Sequence, residues 1–341
     1  MYGIDLTDHD KKLYEEELAE FLPDKIIDVH IHIWLDGMLR QNEEEKGVVS
    51  WPMLVAPHCS AEDLFHSYAQ MFPEKTVKPV LMTSPLARLD EGNAYAAACA
   101  KKYGLPAYYC IRHDTPLDDI RKAIAEDGFC GVKPYQNHSP AYIPANEIRI
   151  YDFITPEQLA LMDELGAFVM LHISRPGRLR DPVNLGQMLE IDERYPNAKI
   201  IIAHIGRAYS PEDLGNAFDL LKDTKHLLFD FSANTQDKAM SACISAMGPE
   251  RVLFGSDMPI TKMRMYRVSE NGRYINVVPR GLYGDVSGDL NMRETDEENI
   301  SIFMYEELLA FKRCAQELAL ARSDVEKIFY TNALRLFGLN F

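Results

Sequence analysis

Short apolar runs alternate with amphipathic stretches along almost the whole chain. Eight of these runs read as strands, at about 26–32, 77–83, 106–112, 129–134, 167–172, 199–204, 227–232 and 251–257. Each is short, rich in β-branched or aromatic residues, and followed by a segment of helical period. Helix starts are legible between them. Ser60, Thr155 and Ser210 each offer an N-cap hydroxyl with an acidic or amide residue three positions on, and proline directly follows Thr155 and Ser210. An amphipathic helix over about 7–21 precedes the first strand. Eight strand and helix repeats in 341 residues predict an α/β fold, a distorted (β/α)8 TIM barrel rather than a doubly wound sheet. No glycine-rich phosphate fingerprint follows the first strand, which argues against a dinucleotide fold.

The chain is longer than a minimal barrel, and with no linker or repeat in view the excess falls in loops. Three are long, at about 33–59, 135–154 and 258–295, and each follows a strand, at the mouth where barrel enzymes build their sites. The expected organisation is therefore one barrel domain over 1–341, with a helical extension at 1–24 and a mouth insertion at 258–295. Within that insertion two β-leaning runs meet at Asn271-Gly272, a pair suited to a hairpin turn, which would carry Arg264, Tyr266, Arg267, Arg273 and Tyr274 over the mouth.

The first strand raises the chemical question. In KIIDVHIHIWLDG, residues 25–37, strand alternation puts Asp28, His30 and His32 on one face and Ile27, Val29, Ile31 and Ile33 on the other. The fifth, sixth and eighth runs likewise close on a polar residue: His172, His204 and Asp257. In a barrel these ends converge on one rim. Paired imidazoles, a third imidazole and a carboxylate suit a divalent ion with coordination left for water; zinc fits, and manganese, iron and cobalt are compatible.

Charge narrows the partners. A formal net charge of -16 repels nucleic acid and anionic membranes, although a local basic pocket can still hold a small anion. The acidic N-terminus lacks the layout of a signal peptide and no apolar run is long enough to span a bilayer, so a cytoplasmic protein is expected. Six scattered cysteines without a C-x-x-C pair fit reduced, buried thiols. The sequence leaves the oligomeric state open, a homo-oligomer included.

Asp28-Val-His30-Ile-His32, Lys133 in GVKPY, His172 in VMLHIS, His204 in IIIAHIG, Asp257 in VLFGSDMP and the terminal NALRLFGL together resemble the amidohydrolase superfamily, in its amidohydrolase-related branch. The resemblance spans about residues 25–338. It implies one divalent metal on His30, His32, His172 and Asp257, with His204 on the substrate side. It also implies hydrolase, lactonase, decarboxylase or hydratase chemistry. Two departures stand out. Arg207 follows His204 closely where a glycine pair is common, and Lys133 sits where binuclear relatives carry a carboxylated lysine. The expected activity is hydrolysis of a small carboxylate-bearing molecule, a lactone or other cyclic ester or amide, by metal-activated water. Asp257 would move the proton and His204 would bond the carbonyl or oxyanion. Lys133, Arg175, Arg178, Arg207, Trp34 and Tyr135 are expected to line the substrate pocket. The alternatives are a non-oxidative decarboxylase of an aromatic or unsaturated acid, and a catalytically silent barrel used for binding.

Overall fold

The computed structural model describes residues 3–39, 55–56 and 58–339. Strands β1 (Lys25–Asp28), β2 (Thr76–Pro79), β3 (Tyr108–Ile111), β4 (Gly131–Pro134), β5 (Phe168–Leu171), β6 (Lys199–Ile202), β7 (Leu228–Asp230) and β8 (Val252–Leu253) follow the eight apolar runs. β1 pairs with β2 and β3 to β8 pair in sequence order, all parallel. The two seams close through single bridges. Leu81 pairs with Ala107 between β2 and β3, and Ile31 pairs with Met258 between β8 and β1. Across the second seam the Val29 N–H donates to the Phe254 carbonyl at 3.0 Å and the Asp257 N–H to the His30 carbonyl at 2.7 Å. The (β/α)8 barrel is thus complete, but its ladders are shorter than the apolar runs because the strand ends peel away into the mouth.

Helices α1 (Asp8–Leu13), α2 (Ala61–Met71), α3 (Leu89–Tyr103), α4 (Leu117–Ala125), α5 (Pro156–Leu165), α6 (Pro182–Arg194), α7 (Ala217–Leu221), α8 (Asp237–Met247), α9 (Phe303–Glu317), α10 (Arg322–Glu326) and α11 (Asn332–Phe337) clothe the barrel. The Ser60 and Thr155 caps form as expected, Thr155 in a reciprocal box with Gln158. Ser210 starts only a 3-10 turn, Pro211–Asp213, in which the Asp213 Oδ2 accepts the Ser210 N–H at 2.9 Å and pairs with Arg178 at 2.8 Å while the Ser210 hydroxyl is left without a partner. α11 plugs the bottom of the barrel. Phe337 stacks on Phe168, the first residue of β5, with ring centres 4.2 Å apart, and lies 6.2 Å from the ring of Tyr108, the first residue of β3.

Strand alternation breaks in β1. Ile27 and Val29 join the cluster packed on α11, whereas Ile26, Ile31 and Ile33 join the larger cluster beneath the outer helices. Asp28 does not share a face with His30 and His32 as alternation predicted: it accepts the Tyr68 hydroxyl of α2 at 2.7 Å. The same carboxylate accepts the His30 N–H at 3.2 Å and the Ser256 N–H at 2.9 Å, so a side chain replaces the ladder and turns the next residues over. Gly255 makes room for the result, since a Cβ there would lie 2.8 Å from that of His30.

The mouth insertion contains the expected hairpin, β9 (Tyr266–Glu270) and β10 (Arg273–Pro279), turning at Asn271 and Gly272 with φ of 51° and 74°. A strand the sequence did not suggest, β11 (Met292–Thr295), adds parallel to β10. The loop at 135–154 holds two 3-10 turns, Gln136–His138 and Ile150–Asp152. Of the loop at 33–59, residues 40–54 and 57 lie outside the described residues.

Candidate metal centre

Every polar strand end named above opens on the C-terminal mouth. His30 and His32 follow β1, Lys133 lies in β4, His172 follows β5, His204 follows β6 and Asp257 follows β8. The Asp257 Oδ1 lies 3.3 Å from the His32 Nε2 and 3.6 Å from the His30 Nε2, and these three residues can hold one ion between them. Their other ring nitrogens are already committed. His30 Nδ1 donates to the Asp230 Oδ2 at 2.9 Å and His32 Nδ1 to the Thr83 carbonyl at 3.1 Å. A proton fixed on Nδ1 leaves the lone pair on Nε2, the form a metal ligand requires. His172 lies on the same mouth, its ring centre 5.3 Å from that of His204, and its Nδ1 is buried with no hydrogen-bond partner. Two aligned imidazoles and a carboxylate, with an orphaned imidazole nitrogen on the same rim, suit a zinc or manganese ion.

A second cluster, His30, His204 and Asp230, is close enough to hold an ion but is already satisfied internally. Asp230 accepts from the His30 ring and from the His204 N–H at 2.8 Å, and His204 Nδ1 donates to the Ser232 carbonyl at 2.8 Å. This is a supporting layer that aims the imidazoles, built on β7. The sequence reading overlooked both Asp230 and Ser232.

Burial and charge set the protonation states. Burial drives His30 down to about 3, with the Lys133 ammonium adding to the effect and Asp230 opposing it. His172 falls well below its ordinary value, first through burial and then through the charge of Arg207. Burial alone would raise Asp257, but the His32 hydrogen bond and the neighbouring imidazoles take it to about 2. Lys133, buried with its Nζ 3.3 Å from the His30 Nε2, is lowered to about 8 by burial against the pull of Asp257 and Asp230. The centre therefore holds His30, His172 and His204 as neutral imidazoles and Asp257 ionised at neutral pH. His204 in that state carries its proton on Nδ1, so its Nε2 is an acceptor. The expected hydrogen bond from His204 to an oxyanion would need a second proton that burial disfavours.

The backbone bends sharply here. His204, Ile205, Gly206 and Arg207 all have positive φ, between 48° and 62°, and Asp257 has φ of 56°. One left-handed turn after β6 thus aims His204 into the barrel and lets Arg207 donate to the Ser174 carbonyl at 3.3 Å. Each non-glycine residue in this region costs about 1–2 kcal/mol, a strain that clusters at functional sites.

The expected pocket residues divide. Tyr135 lies beside His172 with ring centres 4.8 Å apart and ring planes tilted by 46°, and Lys133 and Arg207 act on the centre directly. Three others are committed to partners within the protein, although the Arg178 guanidinium carbon also lies 4.7 Å from the Tyr274 ring centre and 5.7 Å from that of Tyr209. Arg175 is paired with Asp181 at 3.0 Å, where that residue caps α6, and Arg178 with Asp213 at 2.8 Å, so both guanidiniums are neutralised within the protein. Trp34 is buried in a small apolar cluster with Ala56 and Cys59, because the segment after β1 pairs its backbone with Cys59. Of the hairpin arginines, Arg264 turns away to Asp10 of α1 at 2.7 Å. Tyr209, unmentioned by any motif, has its ring 6.3 Å from that of His204.

Residues 27–273 match the family model described as Amidohydrolase. A comparison by sequence with curated proteins finds no match. Among solved structures, the fold resembles the probable 2-pyrone-4,6-dicarboxylic acid hydrolase of Acinetobacter baumannii with citric acid bound, at TM-score 0.56 and 17% identity over 92% of this chain and 99% of that one. It also resembles an amidohydrolase of Burkholderia multivorans with bound zinc, at TM-score 0.58 and 15% identity over 92% and 99%. A third is the 5-carboxyvanillate decarboxylase of Novosphingobium aromaticivorans, complexed with manganese and 4-hydroxy-3-methoxy-5-nitrobenzoic acid, at TM-score 0.55 and 16% identity over 92% and 96%. At these identities the likeness establishes a shared fold. Among the described residues no helix is long and apolar enough to cross a membrane.

Proposed function

The chain belongs to the amidohydrolase family, and from that premise we propose that it is a metal-dependent hydrolase of a small carboxylate-bearing molecule, a lactone or another cyclic ester or amide. The observation that carries this reading is the meeting of Asp257 with the Nε2 atoms of His30 and His32, each ring locked by an acceptor on its far side. His30, His32, His172 and Asp257 would hold one divalent ion, zinc first and manganese second. When bound, such an ion lends Lewis acidity to a water and to the substrate carbonyl.

The protein groups account for the rest. Asp257, ionised at neutral pH, accepts the proton released as water attacks and returns it to the leaving oxygen or nitrogen. His204 Nε2, an acceptor by its tautomer, holds the attacking water in line. The Lys133 ammonium and the Arg207 guanidinium supply the positive charge that draws an anionic substrate into a chain of net charge -16. A small substrate acting alone, without nucleic acid or membrane, fits this mouth.

Incubating the metal-loaded protein with carboxylated lactones, cyclic amides, esters and aromatic acids tests the proposal. Ring-opened acid without gas release is expected, and Asp257→Asn should reduce turnover by about two to four orders of magnitude with the fold intact. Stoichiometric CO2 from an aromatic or unsaturated acid, with no hydrolysis anywhere in the panel, would replace hydrolysis by decarboxylation.

A further inference from the structure

The mouth insertion delivers a guanidinium that the barrel strands do not. Arg267, on β9, donates from Nε to the Asn276 Oδ1 of β10 at 2.9 Å and from Nη1 to the Ala233 carbonyl at 3.0 Å. Ala233 follows Ser232, so this bond ties the hairpin to the end of β7 beside the candidate metal centre. The guanidinium carbon lies 4.6 Å from the ring centre of Tyr209, 4.8 Å from that of Tyr274 and 4.9 Å from that of Phe303. Aromatic faces on this scale hold a guanidinium in one orientation.

What Arg267 lacks is a counter-ion. The neighbouring arginines of the mouth, Arg175, Arg178 and Arg264, each have a carboxylate within 3.0 Å. Among the described residues none lies within ion-pair distance of Arg267 or of Arg207. Glu307, whose field reaches Arg267, is buried with neither carboxylate oxygen hydrogen-bonded, and burial holds it well above the usual carboxylate range. A carboxyl pushed in that direction by burial is a poor counter-ion for the guanidinium. The charges of Arg207 and Arg267 meet at Tyr209, which also feels Asp257. Arg267, without a carboxylate partner, shares the Tyr209 and Tyr274 rings with the Asp213-paired Arg178 and sits in a field to which Arg207 adds. In a chain with 52 acidic and 36 basic residues such a guanidinium calls for an anion from outside.

We propose that Arg207, Tyr209 and Arg267 form an anion subsite that takes a second carboxylate of the substrate, remote from the reacting carbonyl, and so restrict the enzyme to di- or tricarboxylates. The proposal rests on the reading of the mouth as a site for carboxylate-bearing molecules and adds the number of anionic groups and the residue that reads the second. Arg267 is the specificity element, because it comes from the insertion and not from the barrel.

The test is equilibrium binding, so it is independent of turnover. Glutarate and butyrate, which differ by one carboxylate, are titrated calorimetrically into metal-loaded wild type, Arg267→Gln and Arg267→Lys, with circular dichroism and metal content as controls. Wild type should bind glutarate about tenfold or more tightly than butyrate. Arg267→Gln should bring the ratio close to one while butyrate affinity and metal content stay at wild-type values. Arg267→Lys, which keeps the charge and loses the fork, should lower the ratio several-fold and carries the test if the glutamine variant does not fold. Equal wild-type affinity for the two acids, or a wild-type ratio in either folded variant, would overturn the subsite. A panel without hydrolysis would instead sink the hydrolase reading and leave this binding result standing.

Discussion

The His30 and His32 imidazoles are only as well placed as the acceptors behind them. His30 depends on Asp230, a carboxylate buried without solvent contact, and Asp230 also fixes the backbone of His204. Asp230→Asn should therefore keep the fold and the ligands yet weaken divalent-metal binding by about 10–100-fold, measured by competition with a chelator. Unchanged affinity would reduce Asp230 to a packing role. The candidate ligands were legible because a polar residue closing an apolar run is conspicuous. Asp230 was not, because Leu-Leu-Phe-Asp-Phe-Ser reads as an ordinary two-faced strand whose polar side faces solvent. Two of the three arginines proved to be paired within the protein, which was hidden for another reason. Arg175 and Arg178 follow a ligand directly, but whether a guanidinium faces substrate depends on Asp181 and Asp213, and that competition is settled only by the folded loops.

At the scale of elements, the strands, the first helix and the hairpin were written locally, in hydrophobic periodicity and an Asn-Gly pair. The left-handed turn from His204 to Arg207 was not, since Ile205 is a β-branched residue at φ of 48°, where local preference argues against it. Its burial beneath the outer helices offsets the strain. The docking of α1 on the insertion was equally invisible. Asp10 holds Arg264 at 2.7 Å and the Ser301 hydroxyl at 3.1 Å, across more than half the chain. Breaking the pair by Asp10→Asn should cost about 3 kcal/mol, read as a lower melting temperature. A variant as stable as wild type would show the clasp to be dispensable. Burial alone would raise Asp10, but its hydrogen bonds from Arg264 and Thr7 outweigh that and hold it below the ordinary carboxylate value. Its stabilising contribution is therefore complete above the unfolded aspartate range and lost as the pH falls through the lowered folded value, and Asp10→Asn should lose that part of the acid dependence.

For the whole molecule, an acidic barrel brings Lys133, Arg207 and Arg267 to one mouth, around three imidazoles and a carboxylate supplied by three separate stretches of chain. That convergence follows from the topology, because parallel strands bring all their C-terminal ends to one rim. It is also the central claim, and elemental analysis tests it most directly. Wild type prepared with zinc or manganese should carry one equivalent of divalent metal per chain, and His30→Ala, His32→Ala and His172→Ala, each folded by circular dichroism, should carry little or none. Wild-type metal content in two of the three variants would contradict the account.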